Sequence, residues 1–246
     1  MGETMTSENE IRAVFNDVAR MVPGAKWAVC PLDFSEYRDA GYNFAVLFYY
    51  PLATLLTMEN YSEQAQYELQ QATFPRGRLL RETLLAAAER NEIRLHIAPV
   101  GVDHQTPPYI TPLSAKEIGV KAGVGWIGRS DLLVTEEYGP RVFTLSAVFY
   151  ADEFTVGTPV TTSRCGACKA CVEACPFHNI YGPEWGPGVT RDDLVDYHNC
   201  SVVRWNGGKK LGHKVCCARC MECCPVGVEN VRAVIDGAAA AIAKGA

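Results

Sequence analysis

The run Cys165-Gly-Ala-Cys168-Lys-Ala-Cys171-Val-Glu-Ala-Cys175-Pro176 decides how this chain is read. Three cysteines at two-residue intervals, then a fourth after three residues and a proline, is the bacterial spacing for 4Fe–4S clusters. Its fourth cysteine ordinarily ligates a different cluster from the first three. One such run therefore calls for a second ligand set, and Cys200, Cys216, Cys217, Cys220, Cys223 and Cys224-Pro225 follow it. Ten of the eleven cysteines lie between positions 165 and 224, so the thiols mark one region and not a dispersed disulfide scaffold. Zinc sites come as separated Cys-x2-Cys pairs, which this regular run is not.

Two cubane clusters need eight thiolates. Cys165, Cys168 and Cys171 serve one cluster and Cys175 the other. A symmetric second run would continue Cys217, Cys220, Cys223 and then a cysteine at 227, but position 227 is glycine. The run is instead Cys217-x2-Cys220-x3-Cys224-Pro225, and the Cys-Pro pair makes Cys224 the remote fourth ligand of the first cluster. The second cluster then holds Cys175, Cys217 and Cys220 and lacks one ligand. Cys216 is disfavoured because it adjoins Cys217. Spacing alone leaves Cys200 and Cys223 level.

Working outward, the rest of the chain is that of a globular protein, 48% hydrophobic and 21% charged over 246 residues. A net charge of −5 argues against a surface wholly adapted to nucleic acid. The N-terminus, MGETMTSENEIRAVF, has no apolar core of a secretory signal, and no apolar stretch is long enough to span a membrane, so a cytoplasmic location is expected. Ile11, Val14, Phe15, Val18 and Met21 recur at helical spacing over 8–21. Trp27–Leu32, Asn43–Tyr50, Ile93–Val100 and Arg141–Tyr150 read as strands. Residues 62–91 read as helix, with Leu79, Leu80, Leu84, Leu85 and Ala88 inward, split in two by Pro75 and Gly77. A Pro-rich loop spans 102–112. Ser114 and Glu117 form a capping box for a helix ending near Ala122, and 228–246 forms a last helix packed on the body. The expected fold class is α+β: an N-terminal mixed α/β sheet domain over 1–156, then a ferredoxin-like domain over 157–246 carrying both clusters. The second part needs little hydrophobic core, because metal–thiolate bonds hold its loops.

The segment Lys121-Ala-Gly-Val-Gly-Trp-Ile-Gly128-Arg129, the Cys165–Pro176 run, an isolated Cys200 and Cys217-x2-Cys220-x3-Cys224-Pro225 together resemble epoxyqueuosine reductase. That family belongs to a group of cobalamin-dependent, double-cluster reductases that includes the reductive dehalogenases. The resemblance covers roughly residues 90–226. It implies that Cys200 is the eighth ligand, and that Gly123, Gly125, Trp126 and Gly128 lie beside a cobalamin, glycines letting backbone approach a flat ring closely. Read without the resemblance, those glycines are a helix cap and turn, and the tryptophan is core. Where the family carries a proton-donating aspartate, this chain has Tyr109, with Asp103 and His104 nearby but out of register. The dehalogenases use a tyrosine as acid, so Tyr109 is the candidate donor; its alternative reading is a tyrosine packed between prolines. The chain ends soon after the second run, without the helical domain many epoxyqueuosine reductases carry, which weighs against a tRNA substrate.

The implied activity is one-electron relay from a ferredoxin or flavodoxin to a reductive site. The rival reading is a non-catalytic electron-transfer protein, or a reductive activator of a corrinoid protein. The stretch Arg204 to Lys210, with His213, Lys214 and Arg219, would receive an acidic donor, a cofactor phosphate or an RNA backbone; the alternative is a solvated loop. Cys30 reads as a small buried hydrophobe, and His178 and His198 as structural.

Overall fold

The computed structural model describes residues 6–99, 110–210 and 217–243. The chain divides into two compact units, each assembled from separate stretches. The first comprises Met1–Tyr50, Pro75–Val124 and Phe143–Pro159, and the second Pro51–Phe74, Gly125–Val142 and Val160–Ala246.

The first unit is built on a four-stranded sheet of β1 (Lys26–Pro31), β2 (Phe44–Pro51), β3 (Leu95–Ile97) and β6 (Val142–Phe149), in the order β1-β2-β6-β3. β1 pairs antiparallel with β2, Lys26 opposite Tyr49 and Pro31 opposite Phe44. β3 pairs antiparallel with β6. The first and last of the expected strands were read nearly to the residue. Ile93–Val100 contracts to three residues, because pairing with β6 ends at Ile97 opposite Ala147.

α1 (Glu8–Arg20) opens on a capping box in which Ser7 Oγ and the Glu10 carboxylate satisfy each other's backbone N–H groups. Its Ile11, Val14, Phe15 and Val18 are buried, and Phe15 packs edge-on against Trp27, Phe48 and Phe149. Met21 departs from the expected stripe: it is the C-cap and is 49% exposed, the helix having ended before its turn faces inward.

α2 (Glu63–Arg90) corrects the expectation of two helices: it is continuous, with Pro75 inside it. Gly77 is there for packing and not as a breaker. A Cβ at that position would stand 2.9 Å from the Tyr50 hydroxyl and 3.0 Å from Phe143. Of the five residues assigned to its inner face, Leu80, Leu84 and Ala88 are buried in the core. Leu79 and Leu85 are each 40% exposed. The true stripe is the i, i+4, i+8 row, and its immediate neighbours in sequence point about 100° away. α3 (Ala115–Lys121) starts where expected, with Ser114 Oγ accepting from Glu117 N–H at 3.4 Å.

The second unit contains a hairpin absent from the sequence reading, β4 (Gly125–Ile127) paired antiparallel with β5 (Leu133–Thr135). It also contains the short helices α4 (Ala170–Ala174), α5 (Arg191–Leu194) and α7 (Arg219–Glu222), and the longer α6 (Tyr197–Lys210) and α8 (Val228–Ala243). α8 is mostly exposed, burying Val231. Every member of the main hydrophobic core cluster comes from the first unit. The cysteine-bearing unit buries apolar side chains outside that cluster, among them Leu69, Ile127, Leu133, Tyr138 and Leu194. No helix among the described residues is long and apolar enough to cross a membrane.

Candidate iron–sulfur site

All eight cysteines expected as ligands lie in the second unit. Cys165 and Cys168 precede α4 and Cys171 lies on it, while Cys175 ends it as C-cap. Cys200 lies on α6, Cys217 shortly precedes α7, Cys220 lies on it, and Cys224 follows it. Their thiols sort by neighbourhood. Burial first, then the neighbouring Cys165, Cys224 and Cys168, pushes the Cys171 thiol up to about 11. Cys224 is raised by burial and, in turn, by Cys165 and Cys168. Cys200 is raised by burial, against the pull of Arg204, and by Cys217 and Cys175. Cys220 is raised by burial, then by Cys217 and Cys200, with Cys223 and Cys171 behind. One group thus forms around Cys165, Cys168, Cys171 and Cys224, and a second around Cys175, Cys200, Cys217 and Cys220. Cys223 is pushed up to about 12 by burial and then by Cys171 and Cys224, so it stands beside the first group. Cys216 lies outside the described residues, as do Asp103, His104 and Tyr109.

Among the described residues, no three of His, Cys, Asp and Glu converge on a single-ion site. A cubane differs from a lone ion in this respect. Each of its four irons takes one thiolate, so the sulfurs surround a volume and do not meet at a point. The donor chemistry, all thiol and half-buried except for the exposed Cys168, fits such a cluster. His178 and His198 are both exposed, and His178 takes the left-handed backbone at φ 54°.

Two buried arginines hold these loops, and neither was singled out from sequence. Arg129, two residues beyond β4, is 7% exposed. Its guanidinium donates to the carbonyls of Cys168 at 3.0 Å and Gly166 at 2.6 Å and to that of Gly182, and pairs with Glu184 at 3.3 Å. Arg141 is 1% exposed and donates to the carbonyls of Glu222 at 2.6 Å and Cys224 at 2.8 Å. It also pairs with the Glu222 carboxylate at 3.2 Å. Burial pushes Glu222 up to about 7, with Arg141 pulling the other way. A buried guanidinium needs its donors satisfied, and backbone carbonyls of the cysteine loops satisfy them.

Gly227, where a symmetric run would place its last cysteine, has φ 74°. A Cβ there would lie 2.2 Å from Tyr138 C and 2.4 Å from Gly139 N. Gly139 in turn would place a Cβ 2.1 Å from Val226 O. Two backbone turns are in contact, and no cysteine fits between them.

The Gly123–Gly128 stretch has internal duties. Gly123, at φ 76°, follows the α3 C-cap, and a Cβ on it would meet Thr158 O at 2.5 Å. In the hairpin, a Cβ on Gly125 would meet Val134 O at 2.0 Å. One on Gly128 would meet the Val134 side chain at 2.9 Å, with Cys165 Sγ at 3.8 Å. The bare faces of these glycines are filled by the chain itself. Trp126 is 5% exposed, the Arg164 guanidinium lies 5.8 Å from its ring centre, and its indole N–H finds no partner among the described residues. That orphaned donor is the feature of the loop that suits a ligand. The basic stretch from Arg204 lies on α6 as far as Lys210, and Arg219 on α7 stacks over Tyr61 at 4.7 Å; His213 and Lys214 lie outside the described residues.

Comparison with known proteins agrees with this geometry. A 4Fe–4S binding domain is matched over residues 158–181, which spans the first cysteine run. An epoxyqueuosine reductase from Alicycliphilus denitrificans is 28% identical over 112 residues, 46% of this chain and 31% of that protein. Among solved structures, a reductive dehalogenase described with a mechanism for B12-dependent dehalogenation superimposes with a TM-score of 0.64 at 15% identity, over 95% of this chain and 34% of that one. An epoxyqueuosine reductase solved with an epoxyqueuosine-modified tRNA stem loop gives 0.55 at 15% identity, over 89% and 65%. At such identities the structural matches establish the fold. The match to the sequence relative spans about a third of that protein's length. Cysteine spacing, sequence similarity and fold together make this chain an epoxyqueuosine reductase-like iron–sulfur protein.

Proposed function

We propose that the chain is a cytoplasmic oxidoreductase with two 4Fe–4S clusters. One is held by Cys165, Cys168, Cys171 and Cys224, the other by Cys175, Cys200, Cys217 and Cys220. The clusters would supply one-electron relay between a ferredoxin or flavodoxin donor and a reductive site that would bind a corrinoid. The observation that carries the reading is that the eight cysteines are gathered in one unit, with Cys171 and Cys224 acted on by Cys165 and Cys168, and Cys200 by Cys217 and Cys175.

When bound, the clusters supply one-electron carriers and the corrinoid a low-potential metal centre for the reduction. The chain's own residues do the holding. Burial raises the Cys171, Cys200, Cys220 and Cys224 thiols, so iron must displace protons from them as it enters, and loading is favoured as pH rises. Arg129 and Arg141 fix the loop carbonyls, which removes conformational freedom from the ligands before iron arrives. The buried indole N–H of Trp126 is the donor offered to the corrinoid, and Tyr109 the proton donor to substrate.

The test is anaerobic reconstitution followed by iron analysis, EPR and a cobalamin titration read by visible absorption. About eight irons with saturable cobalamin binding is expected. Eight irons without any corrinoid affinity removes the corrinoid half of the reading, and about four removes the second cluster. A second reading is tRNA epoxyqueuosine reduction, favoured by the sequence relatives and by the fold neighbour solved with a modified stem loop. Restoration of queuosine in a strain lacking the reductase tests it, and a fully loaded protein that fails to restore it rules it out.

A further inference from the structure

The carbonyls of Gly166 and Cys168 both point at Arg129. A trans peptide holds its C=O and N–H on opposite sides. The amides of Ala167 and Lys169 are therefore turned away from the guanidinium. Arg129 thus brings to the three-cysteine loop both a buried positive charge and a set of oriented peptide dipoles.

The carboxylates beside the two arginines differ in their effect. The Arg141 partner, Glu222, is as buried as Arg141 itself, with side chains 1% and 0% exposed, so when ionised it offsets the guanidinium with little screening by solvent. The Arg129 partner, Glu184, is 44% exposed and 3.3 Å away, so solvent screens it and it offsets less of the guanidinium charge. Arg204 acts on Cys200, in the other group of thiols, one helical turn along α6.

We propose that Arg129 sets the reduction potential of the cluster held by Cys165, Cys168, Cys171 and Cys224, raising it relative to an uncharged environment. Adding an electron to a cluster adds negative charge. A nearby buried cation, with amide dipoles turned by the same residue, stabilises that charged form. Arg129 is a positioning residue, and the proposal rests on the two-cluster reading above.

The full chain, reconstituted anaerobically, is titrated potentiometrically under EPR, with iron counted on the same samples. Arg129→Gln is expected to move one midpoint to more negative potential and leave the other in place. Glu184→Gln touches no ligand loop carbonyl and is expected to move that same midpoint the opposite way. Arg129→Lys, which keeps the charge, is expected to lie closer to the parent than Arg129→Gln. Midpoints that stay fixed in fully loaded variants, or that move together, overturn the proposal. If Arg129→Gln fails to load, Glu184→Gln and Arg129→Lys decide it. A parent protein that binds only about four irons sinks the two-cluster reading, yet the sign of the Glu184→Gln shift on the remaining cluster still judges Arg129 separately.

Discussion

Gly227 and Cys200 meet in one constraint of the proposed two-cluster scheme. With Tyr138 C 2.2 Å from where a Cβ would sit, residue 227 cannot carry a thiol, and under that scheme the ligand comes from elsewhere in the chain. Gly227→Cys is therefore expected to gain no iron and to destabilise the protein by roughly 2 kcal/mol or more, seen as a lowered thermal midpoint, because both the clash and the positive φ oppose it. Cys200→Ala is expected to cut bound iron from about eight to about four, whereas Cys223→Ala keeps about eight; iron analysis separates them. Cys30 is fully buried and its thiol is pushed up to about 12, mainly by desolvation. Its folded pKa thus lies above the unfolded value of about 8.5, so its contribution is intact below that pH and is lost as pH rises toward 12. Mapped alkylation of the native protein at pH 8 is expected to leave Cys30 unmodified. The first cysteine run was legible as a 4Fe–4S binding motif because cluster ligands obey spacing rules, and a 4Fe–4S binding domain is matched over 158–181. Arg129 and Arg141 were not, because a single arginine that caps carbonyls far away in sequence leaves no period to read.

Elements were legible where burial imposes a period. The apolar run of β2 stands out and the core confirms it; of the five residues read as inward on α2, the core holds Leu80, Leu84 and Ala88. The β4–β5 hairpin was hidden because Gly123 and Gly128 serve the helix cap and the turn that their pattern suggests, while Gly125 between them lies where strand backbones approach within a Cβ's width. In α2 local propensity and packing oppose each other. Gly77→Ala favours helix by about 1 kcal/mol, but its methyl meets Tyr50 and Phe143 inside a full core. Overpacking of about 1–3 kcal/mol wins, and a lower chemical-denaturation midpoint is the expected outcome.

Over the whole molecule, stability is distributed unevenly between the units. The main hydrophobic cluster lies in the first, while the second combines smaller apolar contacts, such as Leu69, Ile127, Leu133 and Leu194, with buried arginines and its thiols. Stripping iron from the loaded protein should accelerate amide exchange across 160–210 and 217–243 and leave β1, β2 and β6 protected, as hydrogen-exchange mass spectrometry can show. The linear boundary near residue 157 could not show that 125–142 joins the cysteine-bearing unit, since nothing in local composition marks that stretch as a support. The two thiol groups also interleave along the chain. During synthesis, Arg129 and Arg141 leave the ribosome before any of the thiols in these groups. The group containing Cys175 is complete only once Cys220 has been made, and the group containing Cys165 only at Cys224. If the two groups hold the clusters as proposed, neither can close around iron in a nascent chain that stops short of α7. A stalled or cleaved product lacking that helix would then carry up to six of the eight thiols with no finished site, which leaves it exposed to oxidation and to mismetallation.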